Sequence, residues 1–197
     1  MNWQKYFWSA LGMGATVGSG LLYYAAKIEP EKLRVTSPAL PRPIPVKTVF
    51  FSDVHLGRKY HPKHLEAIVN AINAQSPQLV LFGGDFFAKL PKDFHMLDFG
   101  WMEQQLKKIN APLGKFAVLG NHDVRYGSKP FFYRLFEKSG FTVLWDEVVQ
   151  VNEQISICGL SPYSNGRAMV QLPDDGYRIC LCHMPDKARY LSLRRCD

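Results

Sequence analysis

Three apolar runs in this chain end on side chains that can bind a cation or move a proton. "VFFSDVH" (49–55) ends on Asp53 and His55, "LVLFGGD" (79–85) on Asp85, and "AVLGNHD" (117–123) on Asn121, His122 and Asp123. A fourth run, "YRICLCHMP" (177–185), delivers His183. Polar groups of this kind cost several kcal/mol each when buried without partners, so either each finds its own hydrogen-bond partners or all of them meet at one site that needs them. Carboxylates, an amide oxygen and imidazoles together suit divalent Mn, Fe or Zn, and no thiolate among these tip residues suggests a structural zinc. An Asp shared by two ions lets a pair sit about 3.5–4 Å apart, the spacing that clamps a phosphoryl group and activates a water. D-x-H and G-D are common by chance and G-N-H-D is more specific. The weight lies in the ordered set.

The elements that must position these residues alternate. Short apolar runs predict strands at 46–52, 78–83 and 115–120, with further strands near 141–144, 147–151, 154–160 and 177–182. Apolar residues at helical spacing predict helices over 62–75, 97–109 and 129–139, with Pro62 in the first turn of its helix. Strand–helix alternation implies parallel strands joined by crossover helices. The carboxyl ends of parallel strands lie on one edge, where open α/β sheets bind ligands. Residues far apart in sequence therefore converge there.

A chain of 197 residues is long enough for one domain with a sizeable core. Its net charge of +7 suits an anionic partner without choosing among phosphate, nucleic acid and lipid. The four cysteines have no C-x-x-C spacing and read as reduced thiols. Residues 7–26 carry no charge and are long enough to span a bilayer. The region lacks a good A-x-A cleavage pattern, so an uncleaved transmembrane anchor over 1–27 is the expectation. Lys5 precedes the run, whereas Lys27, Lys32, Arg34 and Arg42 follow it, which puts the main domain on the cytoplasmic side of the membrane. Prolines at 38, 41, 43 and 45 make 28–45 a semi-rigid linker, leaving 46–197 as the functional domain.

"SDVHLG", "FGGDFF", "LGNHDVRYG" and "CLCHMPD" resemble, in order, the first four motifs of the calcineurin-like metallophosphoesterases, bacterial membrane-associated branch. The resemblance covers about 46–197. It implies a four-layer α/β sandwich, two mixed sheets flanked by helices, with a dinuclear metal centre. It further implies that Asp53 and His55 hold one metal, Asp85 bridges both, and Asn121 and His183 hold the second. His122 would contact the phosphate and protonate the leaving oxygen, with Asp123 orienting it. Arg58 and Arg125 would draw an anionic substrate to the site, or else belong to solvated turns.

Family members carry a fifth motif, G-H-x-H, after the His of the fourth. This chain reaches Asp197 without it, so a C-terminally incomplete domain is expected. Two function classes follow. One is hydrolysis of a phosphoester or pyrophosphate in a phosphorylated small molecule or a lipid-linked substrate such as UDP-diacylglucosamine. The other is a membrane-anchored metal- or ligand-binding protein without turnover. A nuclease ranks third, because no basic stripe interleaves with aromatics of the kind single strands stack on.

Overall fold

The computed structural model describes residues 28, 30–32, 45–173 and 175–186. Both the uncharged run at 7–26 and most of the proline-rich linker lie outside the described residues. Among the described residues no helix is long and apolar enough to cross a membrane.

Two sheets form the centre. The first has four strands in the order β1 (Thr48–Phe51), β2 (Leu79–Phe82), β3 (Lys115–Ala117) and β4 (Thr142–Val143). All its pairings are parallel, with Phe51 beside Phe82 and Phe82 beside Ala117. The second has β5 (Glu147–Asn152), β6 (Ile155–Leu160) and β7 (Tyr177–Cys182), with β5 antiparallel and β7 parallel to β6. Only the second sheet is therefore mixed among the described residues. The first is all parallel because each of its strand-to-strand links contains a crossover helix.

Those helices are α1 (His64–Ala74), α3 (Phe99–Lys107) and α5 (Lys129–Lys138), with two single turns, α2 (Leu90–Asp93) and α4 (Asn121–Val124), in the connections that follow β2 and β3. Pro62 precedes the first turn of α1 and does not belong to it. Lys63 caps the helix, and the chain enters through bonds from His64 N–H to His61 O and from Leu65 N–H to Pro62 O.

The period of two along β2 divides the core. Val80 and Phe82 face the helices and join Val69, Met102, Leu106, Phe132 and Phe136. Leu79 and Leu81 face the other way and meet Ile157 and Leu181 of the second sheet. On the outer face of that sheet Cys158 and Leu160 are covered by Ala168 and Leu172, from or beside a short 3-10 turn at 167–171. The layers run helix, sheet, sheet and a thin outer cover. This is an α/β sandwich whose β1–β3 and β6–β7 carboxyl ends share one edge.

Candidate metal centre

Each predicted ligand follows its strand by a few residues, and the backbone bends sharply to deliver it. Asp53, His55 and Asp85 have φ of 57°, 49° and 58°, the left-handed region that ordinary side chains avoid. Strain of this kind concentrates at functional sites. The loops lock onto one another through backbone bonds. Asp53 N–H donates to Gly84 O and His55 N–H to Asp85 O, at 2.9 and 3.0 Å.

Gly84 and Gly120 pass so closely that a Cβ on Gly84 would overlap the Gly120 backbone, and one on Gly120 would overlap the Asp85 carboxylate. That is the physical reason for the second glycine of "FGGD" and for the glycine of "LGNHD". β3 stops at Ala117, three residues short of the predicted end at 120, and "NHD" opens the single helical turn α4.

The structure brings Asp53, His55, Asp85, His122 and His183 together. His55 Nε2 is 3.4 Å from Asp53 Oδ1 and 3.6 Å from Asp85 Oδ2, and His183 Nε2 is 3.4 Å from Asp85 Oδ2. The His55 and His122 rings meet edge to face, 5.0 Å between centroids. Two ligand-like groups result among the described residues: His55 with Asp85 and His122, and Asp53 with Asp85 and His183. Asp85 belongs to both. Asp53 lies with His183 and His55 with His122, and the two groups touch again where His55 Nε2 approaches Asp53 Oδ1. Asn121 opens α4 directly before His122, whose backbone N–H donates to Asp85 Oδ1 at 2.8 Å. Arg58 and Arg125 are exposed, three residues past His55 and four past Asn121.

The donor chemistry fits a divalent cation. Separations of 3.4–3.6 Å between imidazole nitrogen and carboxylate oxygen exceed a good hydrogen bond. They match two donors about 2.1 Å from one ion at a tetrahedral angle, which lie about 3.4 Å apart. The imidazoles are also aimed. His183 Nδ1 donates to Gly83 O at 2.9 Å and His122 Nδ1 to Ala88 O at 2.6 Å. A carbonyl can only accept, so both Nδ1 atoms carry hydrogen and both Nε2 atoms face inward.

In the metal-free protein the charges compensate each other. The Asp85 carboxylate facing its ring lifts His183 to about 9 against desolvation. Burial pushes Asp85 up, but the His183 ring and the His122 N–H overcome it and hold the carboxyl below its ordinary value.

Asp123 has a different role from the orienting one expected. Its carboxylate is fully buried and accepts four backbone N–H bonds, from Asp85 and Gly120 at Oδ2 and from Phe86 and Phe87 at Oδ1. Ala88 O, and not Asp123, holds the His122 ring. Burial pushes the Asp123 carboxyl up to about 7, while the N–H groups of Gly120, Phe87 and Asp85 favour the anion. It ties the second ligand loop to the third. The Ala88 and Gly83 carbonyls carry no sequence signal, because every residue has one.

A profile of calcineurin-like phosphoesterases matches residues 46–193. The chain is 32% identical over 149 residues to an uncharacterized metallophosphoesterase of Aquifex aeolicus, covering 76% of this chain and 52% of that protein. It is 29% identical over 199 residues to the uncharacterized metallophosphoesterase YkuE of Bacillus subtilis, covering 93% and 68%. It is 32% identical over 125 residues to the UDP-2,3-diacylglucosamine pyrophosphatase LpxG of Chlamydia muridarum, covering 58% and 36%. The chain thus spans about a third to two thirds of the length of these relatives. With the family profile matched over most of its length and its ligand-bearing loops converging at one sheet edge, the chain belongs to the calcineurin-like phosphoesterase family.

Proposed function

We propose that the domain hydrolyses a phosphoester or pyrophosphate bond at two divalent ions, Mn, Fe or Zn, with Asp53, His55, Asp85, Asn121 and His183 as their ligands. The observation that carries this reading is the buried Asp85 carboxylate shared by two groups of inward-facing donors. Ions held there supply Lewis acidity, which polarises a phosphoryl oxygen and makes water acidic enough to attack at neutral pH.

The chain's own residues do the rest. Asp85 and the aimed His183 ring fix the ligand geometry. His122 is anchored at Nδ1 by Ala88 O, so a second proton on Nε2 is the one it can give to the leaving oxygen. Arg58 and Arg125 offer exposed positive charge for the substrate's remaining phosphate oxygens.

His122 also stands within reach of the His55–Asp85 donors, which favours a second role as a ligand. The two roles separate in His122→Ala of the full chain loaded with Mn²⁺ or Zn²⁺. As a general acid, its loss keeps the metal content and lowers hydrolysis of bis(p-nitrophenyl) phosphate by about 10²–10⁴-fold. Loss of metal with unchanged turnover per metal makes it a ligand instead. No metal-dependent hydrolysis in the unsubstituted chain overturns the proposal.

A lipid-linked pyrophosphate is the finer reading. The named activity of the chlamydial relative supports it, as does the uncharged run at 7–26, which would hold the domain at the cytoplasmic face of the inner membrane.

A further inference from the structure

We infer that the hydrocarbon chain of the substrate lies in an open groove between β1 and α1, directly beside the metal centre. This rests on the phosphoesterase reading above and adds where an amphiphilic substrate is held. The groove encloses about 470 Å³, within the range of about 300–1,000 Å³ typical of small-molecule sites. Phe51, Val54, Tyr60 and Ile68 give it mostly apolar walls. Asp53 and His55 line it too, so one pair of residues belongs both to the groove and to the candidate ligand set. A phosphate held at those ligands therefore has one of its substituents facing this wall. The polar lining, Ser52, Asp53 and His55, adjoins the candidate ligands, and along the apolar wall a hydrocarbon gains on every methylene that leaves water.

The groove is also built to keep its shape. Phe51 packs on the Phe82 ring at 4.8 Å, and Tyr60 lies against the His64 ring at 4.4 Å. Its remaining wall comes from the segment that precedes β1. Ile28, 41% exposed, lines it, and the uncharged run at 7–26 ends two residues earlier. Two residues reach at most about 7 Å. A chain whose residues 7–26 lie in a bilayer thus brings this groove to the bilayer surface, where an acyl chain can pass into it without crossing water. The occupant that fits is a single alkyl or acyl chain attached near the scissile phosphate.

The test is a series of alkyl p-nitrophenyl phosphates (methyl, butyl, octyl) with the full Mn²⁺-loaded chain in phosphatidylcholine nanodiscs. Each protein is scored against its own rate on the methyl ester. For the unsubstituted chain kcat/KM rises up to about fourfold per methylene until the groove is filled. Tyr60→Ser and Ile68→Ser flatten that rise, and Phe131→Ser, on the distant α5, keeps it. Isothermal calorimetry with the metal-free chain gives a second reading, in which octyl phosphate binds more tightly than methyl phosphate and the groove variants erase the difference.

Turnover of the methyl ester with no gain in longer esters overturns the inference and leaves the phosphoesterase reading standing. That result follows if the chain's own residues 7–26 fill the groove. A gain shared equally by the groove variants assigns the effect to partition into lipid and overturns the inference as well. If no ester is turned over, the phosphoesterase reading falls, and equal binding of octyl and methyl phosphate removes the groove with it.

Discussion

At the scale of single residues the centre separates ligands from the groups that hold the ligands in place. Asp123 illustrates the second kind. Both its oxygens serve as acceptors for backbone N–H groups of two other loops, so Asp123→Asn turns a donor toward donors. Unsatisfied buried groups cost about 1–3 kcal/mol each. Thermal unfolding of the metal-free protein should fall by several degrees, with activity lost as a consequence. If stability holds while turnover drops, Asp123 acts on His122 after all.

Asp53 is the opposite case. Its left-handed backbone is unfavourable for a side chain and natural for glycine. Asp53→Gly should leave the metal-free protein as stable as before, or up to about 1 kcal/mol more stable, while metal affinity falls at least tenfold. The Ser52 hydroxyl donates to Asp53 Oδ2 at 2.6 Å, and a clear loss of stability on denaturant melting would show that this bond holds Asp53 there without strain.

At the scale of elements, what could be read from the sequence depended on burial. β2 is buried at every residue, and its run of four apolar side chains marks it unambiguously. α3 and α5 were visible from their apolar spacing to within two residues at each end. α4 was not, because one turn of helix is too short to show a period, and "NHD" reads equally well as a strand end. The convergence of the ligands followed from topology alone. The left-handed turns that aim them did not, since Asp and His give no warning of a positive φ.

Lys115 is another element-scale feature hidden in sequence. It sits in a strand yet donates from Nζ to Ser139 O at 2.6 Å and Leu106 O at 3.2 Å, capping the carboxyl ends of α5 and α3. Burial pushes its amine down to about 8 from an ordinary value near 10.5. Between those values the unfolded chain binds more protons than the folded one, so the stability of the folded state rises with pH across that window. The side chain is half exposed, and solvent screening makes the rise shallow. Lys115→Met should abolish the rise and, by stranding two helix-end carbonyls, lower stability at pH 7 by about 1–2 kcal/mol. Chemical denaturation at pH 7, 8.5 and 10 reads both effects. A rise that persists in the variant belongs to another group.

At the scale of the whole molecule, the centre joins the two sheets. Asp53, His55, Asp85 and Asn121 follow strands of the first sheet, and His183 follows β7 of the second. Between the sheets the packing is tight. A Cβ on Gly159 of β6 would overlap Leu144, and Leu181 meets Leu79 and Leu81. In the metal-free protein the link at the ligand edge is His183, which bonds Gly83 O and faces Asp85. A cation bound to Asp85 and His183 together would replace that weak contact with a cross-link between the layers. Binding to the folded state alone stabilises by about 2.7 kcal/mol at a metal concentration one hundred times Kd. That gain should appear where the sheets would otherwise part. Hydrogen exchange at the amides of β6 and β7 should therefore slow on adding Mn²⁺ or Zn²⁺, and should slow less in β1, which already carries its own ligands. His183→Ala keeps four candidate ligands on the first sheet, so residual metal should still protect the β1 and β2 loops while protection of β7 disappears. Equal protection of β7 in the variant would mean that the second sheet is held by packing alone, and that His183 is not a ligand.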